Sequence, residues 1–181
     1  MASGSLLTKI YKGLQEFIQM GLIPDHKTRI SGAQAEGCSP IVTAWREGSE
    51  IVKPVRPHTI AKSLAIGNPA DGLYARGIIQ KTGGCGESVT DEEIVDGISL
   101  LARTEGVFTE TAGGVTVASL KKLAASGKIR PDEVTVVFIT GNGYKTQEAV
   151  LDKVSKPIVI NPSIAEFRDI YNQLALAKVP N

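Results

Sequence analysis

The stretch that decides the predicted fold is Val134-Thr135-Val136-Val137-Phe138-Ile139-Thr140, followed by Gly141-Asn142-Gly143. Five of its first seven residues are Val, Ile or Phe, and both threonines are β-branched as well. Such an unbroken apolar run is typical of a strand buried on both faces of a parallel sheet. Ligands of open α/β sheets bind beyond the carboxyl ends of the strands, so Thr140 stands at a predicted ligand site. The alternative is a core strand that ends in an ordinary turn.

The composition indicates a single α/β domain over residues 1–181. An apolar fraction of 42% is ample for one core, and a net charge of +1 gives no reason to expect nucleic acid or a membrane as partner. The two cysteines and two isolated histidines indicate neither a disulfide framework nor a zinc site. Nothing resembles a signal peptide or a membrane span of about 20 apolar residues. We therefore expect a soluble, cytoplasmic α/β protein.

Helical and strand patterns alternate along the chain, which predicts a three-layer α/β/α parallel sheet with right-handed crossovers. Helices are predicted over 6–20, 40–45, 73–80, 91–104, 115–125 and 164–174, and strands over 29–35, 105–110, 134–140 and 158–160. Thr90 and Glu93 form a predicted capping box for the fourth helix. Gly13 lies inside the first helix and predicts close packing there, because glycine costs about 1 kcal/mol against alanine.

The amino-terminal stretch Ala2-Ser3-Gly4-Ser5-Leu6 runs directly into the first helix. Backbone N–H groups at a helix start attract anions, phosphate above all, and small side chains let the anion approach the backbone. The alternatives are a simple helix cap or a short artificial leader. The stretch is therefore a candidate phosphate loop.

Three stretches together resemble the fold type II pyridoxal-phosphate enzymes of the tryptophan-synthase-β family. Glu105-Gly106-Val107-Phe108-Thr109-Glu110-Thr111-Ala112-Gly113-Gly114 is similar to the family's "EG(I/V)xxEPAxG" segment, and Thr140-Gly141-Asn142-Gly143 follows a core-like strand as in the family. The stretch from Ala2 to Leu6 resembles its phosphate loop. The resemblance implies a pyridoxal 5'-phosphate cofactor, and it implies a homodimer.

Within this family the chain most resembles the threonine synthases. The stretches that carry this likeness are Thr28-Arg29-Ile30-Ser31-Gly32-Ala33-Gln34-Ala35 with its following turn, and Thr59-Ile60-Ala61 with Ile66-Gly67-Asn68-Pro69. The likeness implies a phosphate-eliminating lyase of threonine biosynthesis that converts O-phospho-L-homoserine and water to L-threonine and phosphate. A serine/threonine dehydratase, a cysteine synthase or a non-catalytic relative stays open as the alternative.

The Schiff-base lysine of the family has no counterpart in this sequence. In the family that lysine lies well before the phosphate loop, whereas here the similar loop is residues 2–6. The resemblance therefore covers the carboxyl-terminal half of such an enzyme, and no catalytic residue is assigned. We expect this chain alone to be inactive and to bind the cofactor weakly or not at all.

The resemblance also implies which residues would hold the cofactor. Residues 2–6 would bind its phosphate, and the Thr140 hydroxyl would donate to the ring nitrogen. Gly141 would let the ring approach the backbone while Asn142 holds the turn, and Ile66-Gly67 would lie beside the ring. Glu110 would face the cofactor or the substrate amine, or alternatively serve as a solvated or helix-capping glutamate.

Overall fold

Two short parallel strands organise the main part of the fold. In the structure, a computed structural model that describes residues 1–25, 27–153 and 158–177, β1 is Gly32–Ala35 and β2 is Gly86–Val89. Gly32 lies opposite Gly86 and Ala35 opposite Val89. The predicted strand 29–35 is thus confirmed in its last four residues. The sequence did not predict β2, because its Gly-Glu-Ser-Val composition lacks an apolar run.

Helices connect and cover these strands. They are α1 (Ser5–Gln19), α2 (Pro40–Arg46), α3 (Gly72–Thr82), α4 (Asp91–Glu105), α5 (Thr111–Ala125) and α6 (Ile164–Ala177), with short 3-10 turns at Lys62–Leu64, Gly143–Lys145 and Gln147–Ala149. The predicted capping box of α4 is confirmed. Thr90 Oγ1 accepts from the Glu93 amide at 3.2 Å, and Glu93 Oε2 accepts from the Thr90 amide at 2.8 Å.

One face of the sheet carries α2 and α3. The Gln34 side chain points to this face, where its Oε1 accepts from the amides of Ile41 and Val42 at 3.0 Å each. Gly86 points the same way, and a Cβ there would lie 2.9 Å from the Trp45 ring. These contacts hold the start of α2 against β1 and its carboxyl-terminal end against β2.

The opposite face carries α4 and α5. The side chains of Ala35 and Val89 point to this opposite face. They are buried there together with Ile94, Ile98 and Val115. Successive residues of a strand point to opposite faces, so each strand contacts helices on both sides. The predicted arrangement of a parallel sheet between two layers of helices is confirmed.

The predicted inner strand 134–140 is wrong, because these residues form no strand in the structure. Val134 is 97% exposed, Val136 74% and Phe138 51%. A β-branched run adopts a stable strand only where another strand pairs with its backbone and other side chains cover it. Neither condition is met for this segment within the described residues.

The predicted strand 105–110 is wrong as well. Residue Glu105 still belongs to α4, and only Thr109 makes a single bridge, to Asn142. Helix α5 begins at Thr111, not at Val115, so Gly113-Gly114 lies inside it. A Cβ on Gly114 would come within 2.5 Å of the Ile94 carbonyl oxygen. The glycine thus permits a close approach of α4 and α5, which local sequence patterns do not reveal.

Two smaller expectations also fail. A Cβ on Gly13 would meet no atom within 4 Å among the described residues outside its own helix backbone, so Gly13 marks no close packing. Residues 158–160 are described but form no strand.

The chain divides into a main unit, Met1–Val150, and a second unit of residues 151–181. The second unit contains α6, which exposes apolar side chains such as Phe167 and Tyr171, whose rings stack at 6.2 Å between centroids. None of the helices in the described part of the chain combines the length and apolar character needed to span a bilayer.

Candidate functional site

The amino-terminal loop enters the fold beside β1. The Met1 amino group donates to the Ala33 carbonyl oxygen, and the Gln34 side-chain amide donates to the Met1 carbonyl oxygen at 3.4 Å. Burial lowers the pKa of this amino group to about 5. The residues that follow Met1 are therefore anchored next to a central strand.

Gly4 caps α1 in the left-handed backbone conformation, with a φ of 91°. A Cβ at this position would lie 2.9 Å from both the Ala75 Cβ and the Asp71 carbonyl oxygen, so both backbone angle and space require glycine. The Asp71 amide donates to the Ser3 carbonyl oxygen at 2.9 Å. The starts of α1 and α3 therefore lie side by side.

The two serine hydroxyls of the loop are already engaged. Ser5 Oγ donates to the Asp71 carboxylate at 2.5 Å, and Ser3 Oγ lies 2.9 Å from Ser5 Oγ. The cap residue Gly4 has no side chain to bond the α1 amides, but the Ser5 amide donates to Ser3 Oγ at 3.4 Å. The helix start thus offers N–H donors to an anion. The negative charge of the Asp71 carboxylate would repel an anion bound next to it.

A second group of predicted residues meets at the start of α5. The Gly141 carbonyl oxygen accepts from the Glu110 amide at 3.1 Å and from Thr109 Oγ1 at 2.9 Å. The Gly143 amide donates to the Phe108 carbonyl oxygen at 3.0 Å. Segments more than 30 residues apart in the chain are therefore held together, and the exposed Thr140 directly precedes the point of attachment.

Glu110 is a buried carboxylate in this second group. Its side chain is only 4% exposed, and Oε1 accepts from Lys145 Nζ at 3.1 Å. Oε2 is buried without a hydrogen-bond partner among the described residues, and so is Thr111 Oγ1. Buried polar atoms are rarely left unpaired. The expectation of a solvated glutamate does not fit this burial.

Ile66 and Gly67 occupy a separate loop. The Gly67 carbonyl oxygen accepts from the Val55 amide at 3.0 Å, and a Cβ on Gly67 would lie 1.9 Å from the Val55 carbonyl oxygen. The close contact between these two loops is sufficient to explain glycine at position 67. Ile66 is 39% exposed.

The predicted site residues therefore fall into three groups: residues 2–6, Ile66-Gly67, and Glu110 with residues 140–142. Within residues 1–25, 27–153 and 158–177, no hydrogen bond or ion pair joins residues 2–6 directly to residues 140–142. Sequence patterns do not indicate Asp71 or Lys145 as site residues, because their partners lie 66 and 35 positions away. Asp71 carries one local signal, since an aspartate before Gly72 is a typical helix cap.

Comparison with known proteins identifies the family. The family described as "Pyridoxal-phosphate dependent enzyme" matches residues 1–141. The threonine synthase of Methanosarcina acetivorans is 40% identical over 164 residues, which are 90% of this chain and 40% of that protein. The threonine synthase of Methanocaldococcus jannaschii is 40% identical over 169 residues, 93% of this chain and 42% of that protein. The chain belongs to the pyridoxal-phosphate dependent enzymes, and it spans about two fifths of the length of these relatives.

Solved structures show the same fold. Maize serine racemase superimposes with a TM-score of 0.58 at 17% identity, covering 85% of this chain and 46% of that one. Threonine synthase from Escherichia coli gives a TM-score of 0.54 at 15% identity, covering 81% and 37%. Both are fold type II enzymes, which confirms the predicted fold class.

Proposed function

We propose that this chain forms the cofactor-binding part of a threonine synthase. The observation that carries the proposal is the 40% identity to threonine synthases over nine tenths of the chain. The whole enzyme would convert O-phospho-L-homoserine and water to L-threonine and phosphate. Because the chain spans only part of its relatives, this activity belongs to the complete protein.

The residues present fit pyridoxal phosphate at two points. At the first, the cap residue Gly4 has no side chain, the Ser5 amide makes only a long bond of 3.4 Å to Ser3 Oγ, and the amides of residues 3–6 would hold the phosphate there. At the second, the carboxylate of Glu110 retains an unpartnered oxygen beside the segment that carries Thr140. Bound pyridoxal phosphate supplies an electron-withdrawing ring that stabilises negative charge on the substrate carbon next to the amino group.

Thr140 would set the electronic character of that ring. A neutral hydroxyl that donates a hydrogen bond leaves the ring nitrogen unprotonated, whereas a carboxylate partner would favour its protonation. Thr140 is exposed and follows no paired strand, so its hydroxyl is accessible to a ligand. Ser5 has a different role in this proposal, because its hydroxyl binds Asp71 and only its amide would reach the phosphate.

No residue of this chain is assigned as the base that removes the substrate proton. In the proposed enzyme that group belongs to the part that these 181 residues do not match. The chain alone is therefore proposed to be inactive toward O-phospho-L-homoserine, and to bind the cofactor only through non-covalent contacts.

A chimera tests the function directly. The matched 90% of this chain replaces the corresponding region of the Methanosarcina acetivorans threonine synthase. Threonine and phosphate released from O-phospho-L-homoserine are then measured together. We expect both products in equal amounts. The same chimera with Thr140→Val should retain its fold and lose most of this activity, while Thr104→Val, an exposed threonine in α4, should not.

The assay also separates the alternatives. A chimera that folds and releases a keto acid from serine or threonine, but no threonine from O-phospho-L-homoserine, would assign the chain to a dehydratase. A folded chimera without any of these activities would point to a cysteine synthase or a non-catalytic relative.

A further inference from the structure

Two segments of the main unit, residues 108–111 and 141–146, are joined by contacts at nearly every residue. The Phe108 ring packs on Gly143, where a Cβ would lie 2.5 Å from three ring carbons, and meets the Tyr144 ring edge-on at 5.8 Å. The Thr111 amide donates to Thr146 Oγ1 at 3.0 Å. Together with the two bonds to the Gly141 carbonyl oxygen, these contacts fix residues 141–146 on residues 108–111.

The ion pair between Glu110 and Lys145 lies in the middle of this junction. Glu110 precedes α5 as its cap residue, and Lys145 ends the 3-10 turn Gly143–Lys145. The lysine side chain is 60% exposed, but the glutamate is buried and has no other charged partner among the described residues. A buried carboxylate that loses its single cation is strongly unfavourable. The ion pair with Lys145 therefore stabilises the Glu110 carboxylate in its buried position.

Glu110 in turn shapes the segment that carries Thr140. Its backbone amide holds the Gly141 carbonyl oxygen, and its carboxylate fills the space where a side chain of residue 141 would lie. Both the main chain and the side chain of Glu110 thus contact the residue that follows Thr140. If loss of Lys145 displaced the Glu110 carboxylate, Gly141 would lose this side-chain contact and become free to move.

We infer that Glu110 and Lys145 act as a positioning pair that holds Thr140 in place for the ligand. The inference rests on the proposed function, because Thr140 is the residue proposed to contact the cofactor ring. Neither member of the pair needs to touch the ligand for this role. The pair sets the geometry of residues 140–143 through the Gly141 carbonyl oxygen.

The test uses four variants of the full chain: Lys145→Met, Glu110→Gln, the double variant and the conservative Lys145→Arg. Amide hydrogen exchange of Glu110 and Gly143 measures how firmly residues 141–146 are held on residues 108–111. Titration with pyridoxal 5'-phosphate, followed by its absorbance, measures cofactor affinity. Lys62→Met is the matched control, because Lys62 pairs with Glu148 at 3.6 Å on the surface. Circular dichroism verifies that each variant is folded.

For Lys145→Met we expect about tenfold faster exchange of both amides and about tenfold weaker cofactor binding, as for the loss of one coupled buried contact. Lys145→Arg and Lys62→Met should stay near wild type. The double variant should be no worse than Lys145→Met, because removing the carboxylate as well leaves no unpaired charge. Unchanged exchange in Lys145→Met, or additive losses in the double variant, would overturn the inference.

The two proposals fail in different ways. If the wild-type chain binds no cofactor at all, the titration counts against the proposed cofactor site. The exchange of the Glu110 and Gly143 amides still decides whether the pair holds residues 140–143.

Discussion

Gly141 lies so close to Glu110 that a Cβ on the glycine would be 1.9 Å from Oε1 of the carboxylate. The glycine carbonyl oxygen meanwhile accepts from the Glu110 amide at 3.1 Å. A side chain at position 141 would therefore have to displace either the buried carboxylate or the backbone turn. The contacts with Glu110 are thus sufficient to explain why residue 141 is a glycine.

Gly141→Ala should destabilise the chain by about 1–3 kcal/mol, the usual cost of forcing extra volume into a packed site. Urea unfolding measures this change. Gly13→Ala is the matched control, because a Cβ there meets no atom within 4 Å among the described residues outside its own helix backbone. That change should stabilise α1 by about 0.5–1 kcal/mol, as expected for alanine in place of glycine inside a helix. Equal effects of the two substitutions would contradict this account of Gly141.

Thr140→Val should weaken binding of pyridoxal 5'-phosphate to the 181-residue chain several-fold, because valine keeps the shape of threonine but cannot donate a hydrogen bond. Absorbance titration of wild type and variant gives the two dissociation constants. Thr104→Val serves as the control, since Thr104 Oγ1 bonds only to the Leu100 carbonyl oxygen of its own helix among the contacts described. Equal affinity of wild type and Thr140→Val would remove Thr140 from the site.

Val136→Thr should change the free energy of unfolding by less than about 0.5 kcal/mol, as is usual for surface substitutions. Val136 is 74% exposed, although its sequence context is that of a core strand. Val89→Thr makes the same chemical change at a fully buried position of β2 and should cost about 1–3 kcal/mol, because the hydroxyl is buried without a partner. Denaturant unfolding of both variants checks the difference. A large loss in Val136→Thr would mean that residues 134–140 are covered in solution.

Acidification should remove the contribution of the capping box to stability. Burial by itself would raise the pKa of Glu93, but its bond from the Thr90 amide and the charge of Lys122 at 3.1 Å together hold this pKa below its ordinary value. A carboxylate with a lowered folded-state pKa stabilises the protein fully above its unfolded value. The contribution is lost as pH falls through the folded-state pKa.

The measurement is the free energy of unfolding of wild type and Glu93→Gln between pH 7 and pH 3. Wild type should be the more stable at neutral pH, and the difference should narrow below about pH 4.5 as the carboxylate becomes protonated. A difference that stays constant over this range would show that the charge of Glu93 contributes nothing.

The sequence alone determined the features that depend on near neighbours. The capping box of Thr90 and Glu93 lies within three residues, and the predicted starts of α1 at residue 6 and of α2 at residue 40 agree with the structure to within one residue. A helix makes its backbone hydrogen bonds within itself, so local patterns predict it well. Family-like stretches such as Ile66-Gly67-Asn68-Pro69 also led to the correct fold class and family.

Only the tertiary structure decided which apolar runs become strands and which polar residues meet. The weakly apolar residues 86–89 form β2 because β1 lies beside them, whereas the strongly apolar residues 134–140 remain unpaired in the described part of the chain. The pairs Ser5–Asp71 and Glu110–Lys145 likewise join distant positions. A strand is stable only when another strand pairs with it, and a buried charge only when an opposite charge lies beside it. The tertiary fold supplies these partners from distant positions, so local sequence patterns do not predict them.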